Sequence, residues 1–429
     1  MVADPLETSH VSMVGHHDLN ERPGFKIDVQ EVDGTWYLYT ASFWEPGFSV
    51  LDVTDPSDPE FLTYVDGPDN TLTIQVQVAD GIAITSMEKP RSGRGRVDRP
   101  EQDPEAPFDE GANIWDVETD PANPEHIGTY RTGGDGTHRN YYNGGDYAYM
   151  AAVPGGEYSG RLLEIVDVSD PTDPEPLSKW WWPGQGPGED DPIPEYLVHG
   201  PIYPDEDENL AYSAWGSVGM VSLDVSEKTN PQFVDRLSFG DFGSKIQTHT
   251  ANPLPGKDLV VVNSEALAEG LPMDDDGEPH GFTLVVDVSR IANSDDPAND
   301  EDAKARIISS FPYPTPEDGL PYHNYHEKPG RFGPHNQNHA KGLDVRYQTE
   351  DYLFMTWFNA GLRVFDISDP LRVEEAGYWV PGEPEKRIAR PRPGSGLVGT
   401  LEDVVVDSRG YVYTTDPQQG LYVLETDLI

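Results

Sequence analysis

The chain of 429 residues contains no cysteine, which excludes disulfide bridges, thiolate metal ligands, iron–sulfur clusters and a cysteine nucleophile. Any metal ion must therefore be bound by nitrogen and oxygen ligands. Basic residues are also few, since 29 Lys and Arg stand against 77 Asp and Glu, giving a formal net charge of −48. Nucleic acids and anionic membranes require cationic surfaces, so we expect neither as a partner.

Long hydrophobic runs are missing as well. No segment reaches the ~18 consecutive apolar residues that a membrane-spanning helix needs, and Met1 to Pro5 lack the basic and apolar regions of a signal peptide. We therefore expect a soluble, cytoplasmic protein, although a secreted chain whose signal had been removed would look the same. A nucleophile elbow, a phosphate loop and a dinucleotide fingerprint are absent too, which disfavours serine hydrolysis and nucleotide-dependent chemistry.

The acidic residues are interspersed with ordered clusters of Val, Ile, Tyr and Trp, a composition that does not favour disorder. We interpret them as a solvated surface coat. Such a coat repels itself in dilute buffer, and concentrated salt removes this penalty because the Debye length falls to ~3 Å at 1 M. In this respect the composition resembles that of haloarchaeal proteins and predicts a halophilic protein with an acidic surface.

A short pattern recurs along the chain: an aliphatic run ending in Asp-Val or Asp-Ile, a polar turn that usually contains Pro, and a β-branched or aromatic run. Copies begin at Phe48, Ala112, Leu163, Met220, Leu284 and Leu362, with a truncated copy at Leu421. Each copy predicts two strands joined by a tight turn, because Pro fits a turn but not a central ladder. The Asp is expected to accept the hydrogen bond that starts the turn. With two further strands upstream, each unit of roughly 45–60 residues is typical of a propeller blade.

The segments Leu163 to Asp167 and Thr283 to Asp287 resemble the LVIVD motif, and nearly the whole chain is similar to the LVIVD-repeat family of β-propellers. The resemblance implies an all-β fold, a single seven-bladed β-propeller, and it specifies little chemistry. The predicted blades are residues 16–67, 72–131, 136–184, 197–240, 246–313, 335–382 and 399–429, the last completed by residues 5–15. We expect Ser9 to Val14 to pair antiparallel with Gly420 to Leu424 and so close the open edge of the last blade.

Histidines fall just before the predicted innermost strands of several blades. Loops at these positions surround the central channel of a propeller, so imidazoles from neighbouring blades can converge there on a divalent transition metal. The candidate metal ligands are His138, His199, His249 and His339, with Gln75, His335 and Glu402 at a similar register. Glu265 and Glu402 are the candidate carboxylate ligands or general bases. Blade number and histidine placement also resemble those of selenium-binding-protein and methanethiol-oxidase propellers, in which channel histidines hold a metal.

A second set of aromatic and acidic residues follows the second strand of each blade: Trp44, Glu45, Glu88, Glu157, Trp215, Glu265, Trp357 and Asp416. They and His17 are predicted to border the same face. Two insertions, residues 89–110 and 386–399, concentrate arginines that either neutralise an anionic ligand or pair with surrounding acids: Arg91, Arg94, Arg96, Arg99, Arg387, Arg390 and Arg392.

Two functions remain open from the sequence. The first is a metal-dependent enzyme that acts on a small molecule through the histidine cluster. The second is a non-enzymatic scaffold that binds a protein or ligand on the channel face, with Trp44, Trp215 and Trp357 as anchors. The structural alternative is that each histidine donates to a nearby backbone carbonyl and fixes a loop, and that the tryptophans pack between blades.

Overall fold

Seven four-stranded antiparallel sheets surround a central channel, which confirms the predicted all-β, seven-bladed propeller. The computed structural model describes residues 3–195, 197–205, 207, 209–240, 246–266, 281–349, 351–390 and 396–429. Within these ranges the one α-helix is α1 (Ser289–Ala292). No helix among the described residues is long and apolar enough to cross a lipid bilayer.

In the first five blades the strands follow one another from the channel outward in chain order. Blade one contains β3 (Gly24–Val32), β4 (Thr35–Ser42), β5 (Phe48–Asp52) and β6 (Glu60–Val65). Blade two contains β7 (Val76–Ala79), β8 (Ile82–Met87), β9 (Gly111–Asp116) and β10 (Glu125–Tyr130). Blade three contains β11 (Gly136–Tyr141), β12 (Tyr147–Val153), β13 (Leu162–Asp167) and β14 (Glu175–Trp180). Blade four contains β15 (Ile202–Pro204), β16 (Leu210–Trp215), β17 (Gly219–Asp224) and β18 (Gln232–Leu237). Blade five contains β19 (Ile246–Pro253), β20 (Leu259–Glu265), β21 (Thr283–Asp287) and β22 (Arg306–Ser310).

The N-terminal segment completes the last two blades. In blade six, β1 (Glu7–Ser9) lies outside β25 (Glu374–Val380), which follows β24 (Leu362–Asp366) and β23 (Tyr352–Thr356). In blade seven, β2 (Val11–His17) lies outside β28 (Gly420–Thr426), which follows β27 (Val412–Asp416) and β26 (Asp403–Val406).

The predicted closure of the last blade by an N-terminal strand is therefore confirmed, but its bounds differ from the expectation. Met13 pairs with Leu424 and His17 with Leu421, whereas Ser9 pairs with Tyr378 of blade six. The chain turns at His10, whose backbone has a φ of +57°. The alternating pattern of the segment does not show this break, so the sequence assigned both short strands to one.

The innermost edge of blade six is an irregular segment, residues 335–338. The backbone N–H of His335 donates to the carbonyl of Thr356, and that of Asn338 donates to Phe354 of β23. The innermost strands of neighbouring blades contact each other around the ring. Side chains at the start of these innermost segments therefore meet at one end of the channel, called here the channel mouth.

The aspartate that ends each repeat motif initiates the next turn, as the sequence predicted. Its Oδ1 accepts a hydrogen bond of 2.8–3.0 Å from the backbone N–H two residues later in six blades; the aspartates are Asp52, Asp116, Asp167, Asp224, Asp287 and Asp366. This bond from the side chain takes the place of the backbone hydrogen bond that would otherwise close the turn. The motif thus determines the fold, and its carboxylates serve as hydrogen-bond acceptors in the turns.

Candidate metal site at the channel mouth

Four imidazole rings from blades three to six form an arc across the channel mouth. The ring centroids of His138 and His199 are 4.9 Å apart, those of His199 and His249 5.2 Å, and those of His249 and His335 4.7 Å. The side chains of His138, His249 and His335 are at most 2% exposed. The structure thus brings together three of the four predicted metal ligands and adds His335.

Irregularities in the innermost strands orient this arc. The pairing of β11 with β12 shifts between Thr137 and Asn140, and that of β19 with β20 shifts between Ile246 and Thr250. A bulge disrupts the strict alternation of side chains and re-aims them, so that His138 and Arg139 are both buried at the channel. Bulges of this kind often border functional sites.

The hydrogen bonds of two histidines define which nitrogen carries the proton. His138 Nδ1 lies 2.8 Å from Oε2 of Glu88, and because a carboxylate only accepts, Nδ1 is the donor. His249 Nδ1 lies 2.8 Å from the Thr250 hydroxyl, which itself donates to the carbonyl of His335. In both rings Nε2 therefore presents a lone pair, and neither Nε2 forms a hydrogen bond with a described residue.

Glu265, at the end of β20, places a carboxylate beside this arc. Its Oε2 lies 3.1 Å from Nε2 of His199 and 3.9 Å from Nε2 of His249. His199, His249 and Glu265 each offer a ligand atom within 4.8 Å of the other two, the one such group that could hold a metal ion among the described residues.

Burial lowers the pKa of His199, and it lowers that of His249 well below the usual value, so both rings are neutral at neutral pH. Burial alone would raise the pKa of Glu265, but its contacts with His199, His249 and Arg331 hold it well below the usual value. Since the histidines are neutral, the Arg331 guanidinium, 2.8 Å from Oε1, is the nearest charge that keeps Glu265 ionised, and Arg139 and Arg161 act in the same direction. The site therefore combines neutral imidazoles with a carboxylate, the protonation states that metal ligands require.

Glu402 lies at the same end of the channel. Its Oε2 is 3.3 Å from Nδ1 of His335, and its Oε1 is 3.6 Å from Nη2 of Arg331. Arg331 thus contacts both Glu265 and Glu402, the two acids that the sequence selected. The sequence analysis did not select Arg331, because it comes from the long loop before blade six and not from a repeat position.

His339 does not join the arc. Its ring stacks on Tyr203 with centroids 4.4 Å apart, and its Nδ1 accepts a hydrogen bond from the backbone of Lys341. Burial, together with the charges of Lys341 and Lys26, lowers the pKa of His339 to about 3. His335 contacts Phe358 and Glu402 at the mouth, whereas His339 borders the channel together with Gln75 and Tyr203, so the two histidines lie at different depths. His335 takes the place at the mouth that the sequence analysis gave to His339.

Two further predicted site residues, Gln75 and His17, do not contact the histidine arc. Gln75 is buried in the channel beside Lys26 and Asp403, and its amide makes no hydrogen bond with a described residue. His17 lies on the outer strand β2, where its ring contacts Phe61 at 5.7 Å.

The three tryptophans proposed as anchors are buried, with exposed fractions of 7% for Trp44, 0% for Trp215 and 1% for Trp357. Trp215 packs edge-on against Trp180, and Trp357 packs against Tyr313. These side chains pack in the interior between neighbouring structural elements. They are therefore not available as exposed anchors for a protein partner.

The arginines of the two insertions differ in their partners. Arg96, Arg99 and Arg390 pair with acids, namely Asp98, Glu45 and Glu101, as the surface-coat interpretation predicts. Arg91 instead reaches Oε1 of Glu88 at 3.3 Å, beside the candidate site. Arg392 lies outside the described residues.

Comparisons with known proteins identify the repeat and the fold. A model of the LVIVD repeat matches residues 32–66, 144–177 and 345–378, so LVIVD repeats are present in blades one, three and six. No curated protein sequence matches the chain. A solved structure titled "Structure of U3-55K" is similar over 97% of this chain and 98% of that chain, with 9% identity and a TM-score of 0.57. The crystal structure of the computationally designed Ika8 protein is similar over 96% of this chain and 98% of that chain, with 8% identity and a TM-score of 0.47.

Likeness at such low identity concerns the fold alone. The halophilic character and the likeness to selenium-binding proteins remain predictions, and any chemistry must be argued from the residues at the channel mouth.

Proposed function

We propose that the chain is a metal-dependent enzyme for a small molecule, with a divalent transition metal held by His199, His249 and Glu265. The observation that carries this proposal is the convergence of three ligand atoms within 4.8 Å of one another. One of them, Nε2 of the buried His249, has a lone pair that no hydrogen bond with a described residue uses. Two imidazoles and one carboxylate form a ligand set of known catalytic zinc sites, which keep a position open for water or substrate.

The spacing of the ligand atoms supports the proposal. Nitrogen and oxygen ligands at about 2.1 Å from a tetrahedral metal are about 3.4 Å from each other. The separations from Glu265 Oε2 to His199 Nε2 and His249 Nε2, 3.1 and 3.9 Å, lie on either side of this value. The third pair, His199 and His249, lies within 4.8 Å, so rotation of the two rings toward the carboxylate would complete the coordination.

The surrounding residues support the ligands. His138 adjoins His199, and the Glu88 carboxylate fixes its ring with Nε2 as the free nitrogen, the arrangement in which a carboxylate orients a metal-ligating histidine. His138 is therefore the candidate for an additional ligand. His335 and Glu402, in contact with each other, would accept a proton from a bound water or substrate. When bound, the metal would lower the pKa of a coordinated water or polarise a substrate oxygen.

The test measures metal directly. Protein purified without chelator should contain close to one equivalent of a transition metal by elemental analysis, and chelator-treated protein should rebind one equivalent of zinc, cobalt or manganese in a calorimetric titration. The double variant His199→Ala/His249→Ala should lose this binding. His126→Ala is the matched control, because His126 lies on outer strand β10 and bonds only to local polar groups.

Absence of stoichiometric metal in the purified protein, together with no binding on titration, would refute the proposal. Equal binding by the double variant and by His126→Ala would also place the metal elsewhere. Circular dichroism and a melting curve of each variant establish that lost binding does not reflect lost folding.

A further inference from the structure

Five arginines gather around the channel mouth of a chain whose net charge is −48. Three carboxylates lie among them: Arg91 and Arg161 contact Glu88, and Arg331 contacts Glu265 and Glu402. The arginines come from three loops and one strand: Arg91, Arg94, Arg139, Arg161 and Arg331. Asp403, which also acts on Arg139, is balanced by Lys26 at 2.6 Å, so five guanidinium groups against three carboxylates leave an excess of two positive charges around the mouth.

Contacts show that these arginines crowd one another. Arg161 Nη2 and Arg91 Nη2 both approach Oε1 of Glu88, at 2.7 and 3.3 Å, so two cations share one oxygen atom. Arg91 and Arg94 lie over the same indole ring, that of Trp44, at 5.2 and 5.3 Å. Arg94 forms no ion pair with any residue that the structure describes, and its charged neighbours are Arg91 and Arg331.

Several guanidinium nitrogens are buried without a hydrogen-bond partner among the described residues. They are Nε of Arg161 and both Nε and Nη1 of Arg139. Arg139 is 2% exposed and lies over Phe25 at 4.9 Å. Buried polar groups are normally paired, and an unpaired guanidinium N–H points to an acceptor that binds there.

A cavity of about 310 Å³ opens beside these groups. Arg91, Arg161, Glu88 and His199 border it, and Leu197 and Val153 supply an apolar wall. Among the lining groups, the Lys89–Asp135 pair, 3.6 Å apart, adds no net charge and Glu195 is exposed, so Arg91 and Arg161 stand against the one buried carboxylate, that of Glu88. The volume is at the lower end of the range of about 300–1,000 Å³ for small-molecule sites.

We infer that this cavity binds a small organic anion through a carboxylate held by Arg161 and Arg91, next to His199. The guanidinium fork matches a carboxylate in a bidentate manner. Inorganic phosphate shares this chemistry, but phosphate sites commonly add a helix N-terminus, and the described lining contains none. The evidence for anion binding comes from the residues of the cavity alone. That this anion is the enzyme's substrate rests on the proposed function.

The cavity and the metal triad are linked through His199. Arg161 Nη1 lies 3.5 Å from Nδ1 of His199, so Nδ1 accepts and Nε2 carries the proton. A metal on Nε2 requires the proton on Nδ1, where it would face a guanidinium donor. Arg161 must then turn away, toward Glu88 or toward an anion in the cavity. Metal and anion should therefore strengthen each other's binding, by the same factor in both directions.

The probes are malonate, its neutral diamide and inorganic phosphate, titrated calorimetrically into chelator-treated protein at fixed ionic strength. Malonate should bind and malonamide should not. Arg161→Gln should weaken malonate binding at least tenfold, and Arg161→Lys, which keeps the charge but loses the fork, should lie between it and the native chain. Arg306→Gln is the matched control, because Arg306 is an exposed arginine that pairs with Asp287 on blade five.

Malonate binding no tighter than malonamide binding, or equal affinity in Arg161→Gln and Arg306→Gln, would overturn the inference. Phosphate binding tighter than malonate would overturn the assignment of a carboxylate. These titrations contain no metal, so their outcome is independent of the proposed metal site. A repeat with zinc tests the link alone, and an unchanged malonate affinity would refute the coupling through His199.

Discussion

His199 Nε2 lies 3.1 Å from Oε2 of Glu265, so the loop that enters blade four meets the second strand of blade five at the channel mouth. The two residues are 66 positions apart in the chain, and both are at least 70 positions from His335, the last member of the arc. The candidate ligands converge because neighbouring blades pack around the channel. Metal binding is thus expected to stabilise the packed ring in addition to any role in chemistry.

Zinc affinity should depend little on pH near neutrality. Burial depresses the pKa of His199 and of His249 below the ordinary value of 6.5, so no proton has to leave either ring at pH 7. A competition titration from about pH 8 to pH 5.5 should show zinc still bound below pH 6.5, where a solvent-exposed histidine pair becomes protonated. A tenfold loss of affinity between pH 7 and pH 6 would contradict this.

Replacement of Arg331 by Met should destabilise the metal-free protein. The change leaves the buried Glu265 without its charged partner, 2.8 Å away, and removing one member of a buried ion pair costs about 3–5 kcal/mol. Arg331→Lys, which keeps the charge, should lose less. Chemical unfolding in chelator measures both free energies.

Added metal should recover part of the stability lost in Arg331→Met, because a cation bound to Glu265 replaces the missing charge. The increase in melting temperature on adding zinc should accordingly be larger for this variant than for the native chain. If zinc stabilised both proteins equally, Glu265 would not be a ligand.

Asp416 should make the folded protein less stable as the pH rises, the direction opposite to that of an acid whose pKa is lowered on folding. Burial raises the pKa of its carboxyl from 3.8 to about 7 in the folded chain. The folded state therefore binds a proton more tightly than the unfolded state, so this stabilisation is complete below pH 3.8 and is lost as the pH rises through about 7. The native chain should lose about 2–4 kcal/mol relative to Asp416→Asn between pH 4 and pH 8.

The control for this comparison is Asp55→Asn at an exposed turn, where hydrogen bonds from Ser57 lower the pKa of the aspartate. Its difference from the native chain should not shrink as the pH rises from 4 to 8. Denaturant titrations at four or five pH values give both differences. A pH-independent difference for Asp416→Asn would show that its carboxyl ionises normally.

Deletion of residues 1–17 should expose the edges of β28 and β25 and lower the melting temperature by about 5–10 °C or more. The truncated chain should also associate, since an unpaired edge strand is a template for another chain. We expect the loss to be largest in dilute salt, where repulsion among the acidic residues is unscreened. An unchanged melting temperature across a salt series would contradict the role of the closing strands.

A point variant tests the same closure without removing residues. A Cβ on Gly15 of β2 would lie 2.1 Å from the carbonyl oxygen of Pro56 in blade one, so Gly15→Ala must push blade seven from blade one. Gly240→Ala is the matched control, because its added Cβ meets only ordinary contacts. Melting curves should show a clear loss for the first variant and little change for the second.

The sequence by itself determined the architecture, because the repeat motif carries its own local physics. Asp167 and its equivalents initiate each turn through a side-chain hydrogen bond to the backbone two residues later, and this geometry needs no distant partner. Counting these turns gave the blades and left β28 with an open edge for an N-terminal strand. Equivalent positions in successive blades likewise predicted that His138, His199 and His249 share one end of the channel.

Only the tertiary structure decided which further residues reach that end. By their spacing in the sequence, His335 and His339 are both plausible members of the arc. Their depth in the channel depends on where the irregular segment 335–338 aligns with β23. Arg161 and Arg331 enter from loops whose length and path no repeat specifies. Their effect on Glu88 and Glu265 depends on distances of 2.7 and 2.8 Å between residues 73 and 66 positions apart, which are fixed only when the blades close around the channel.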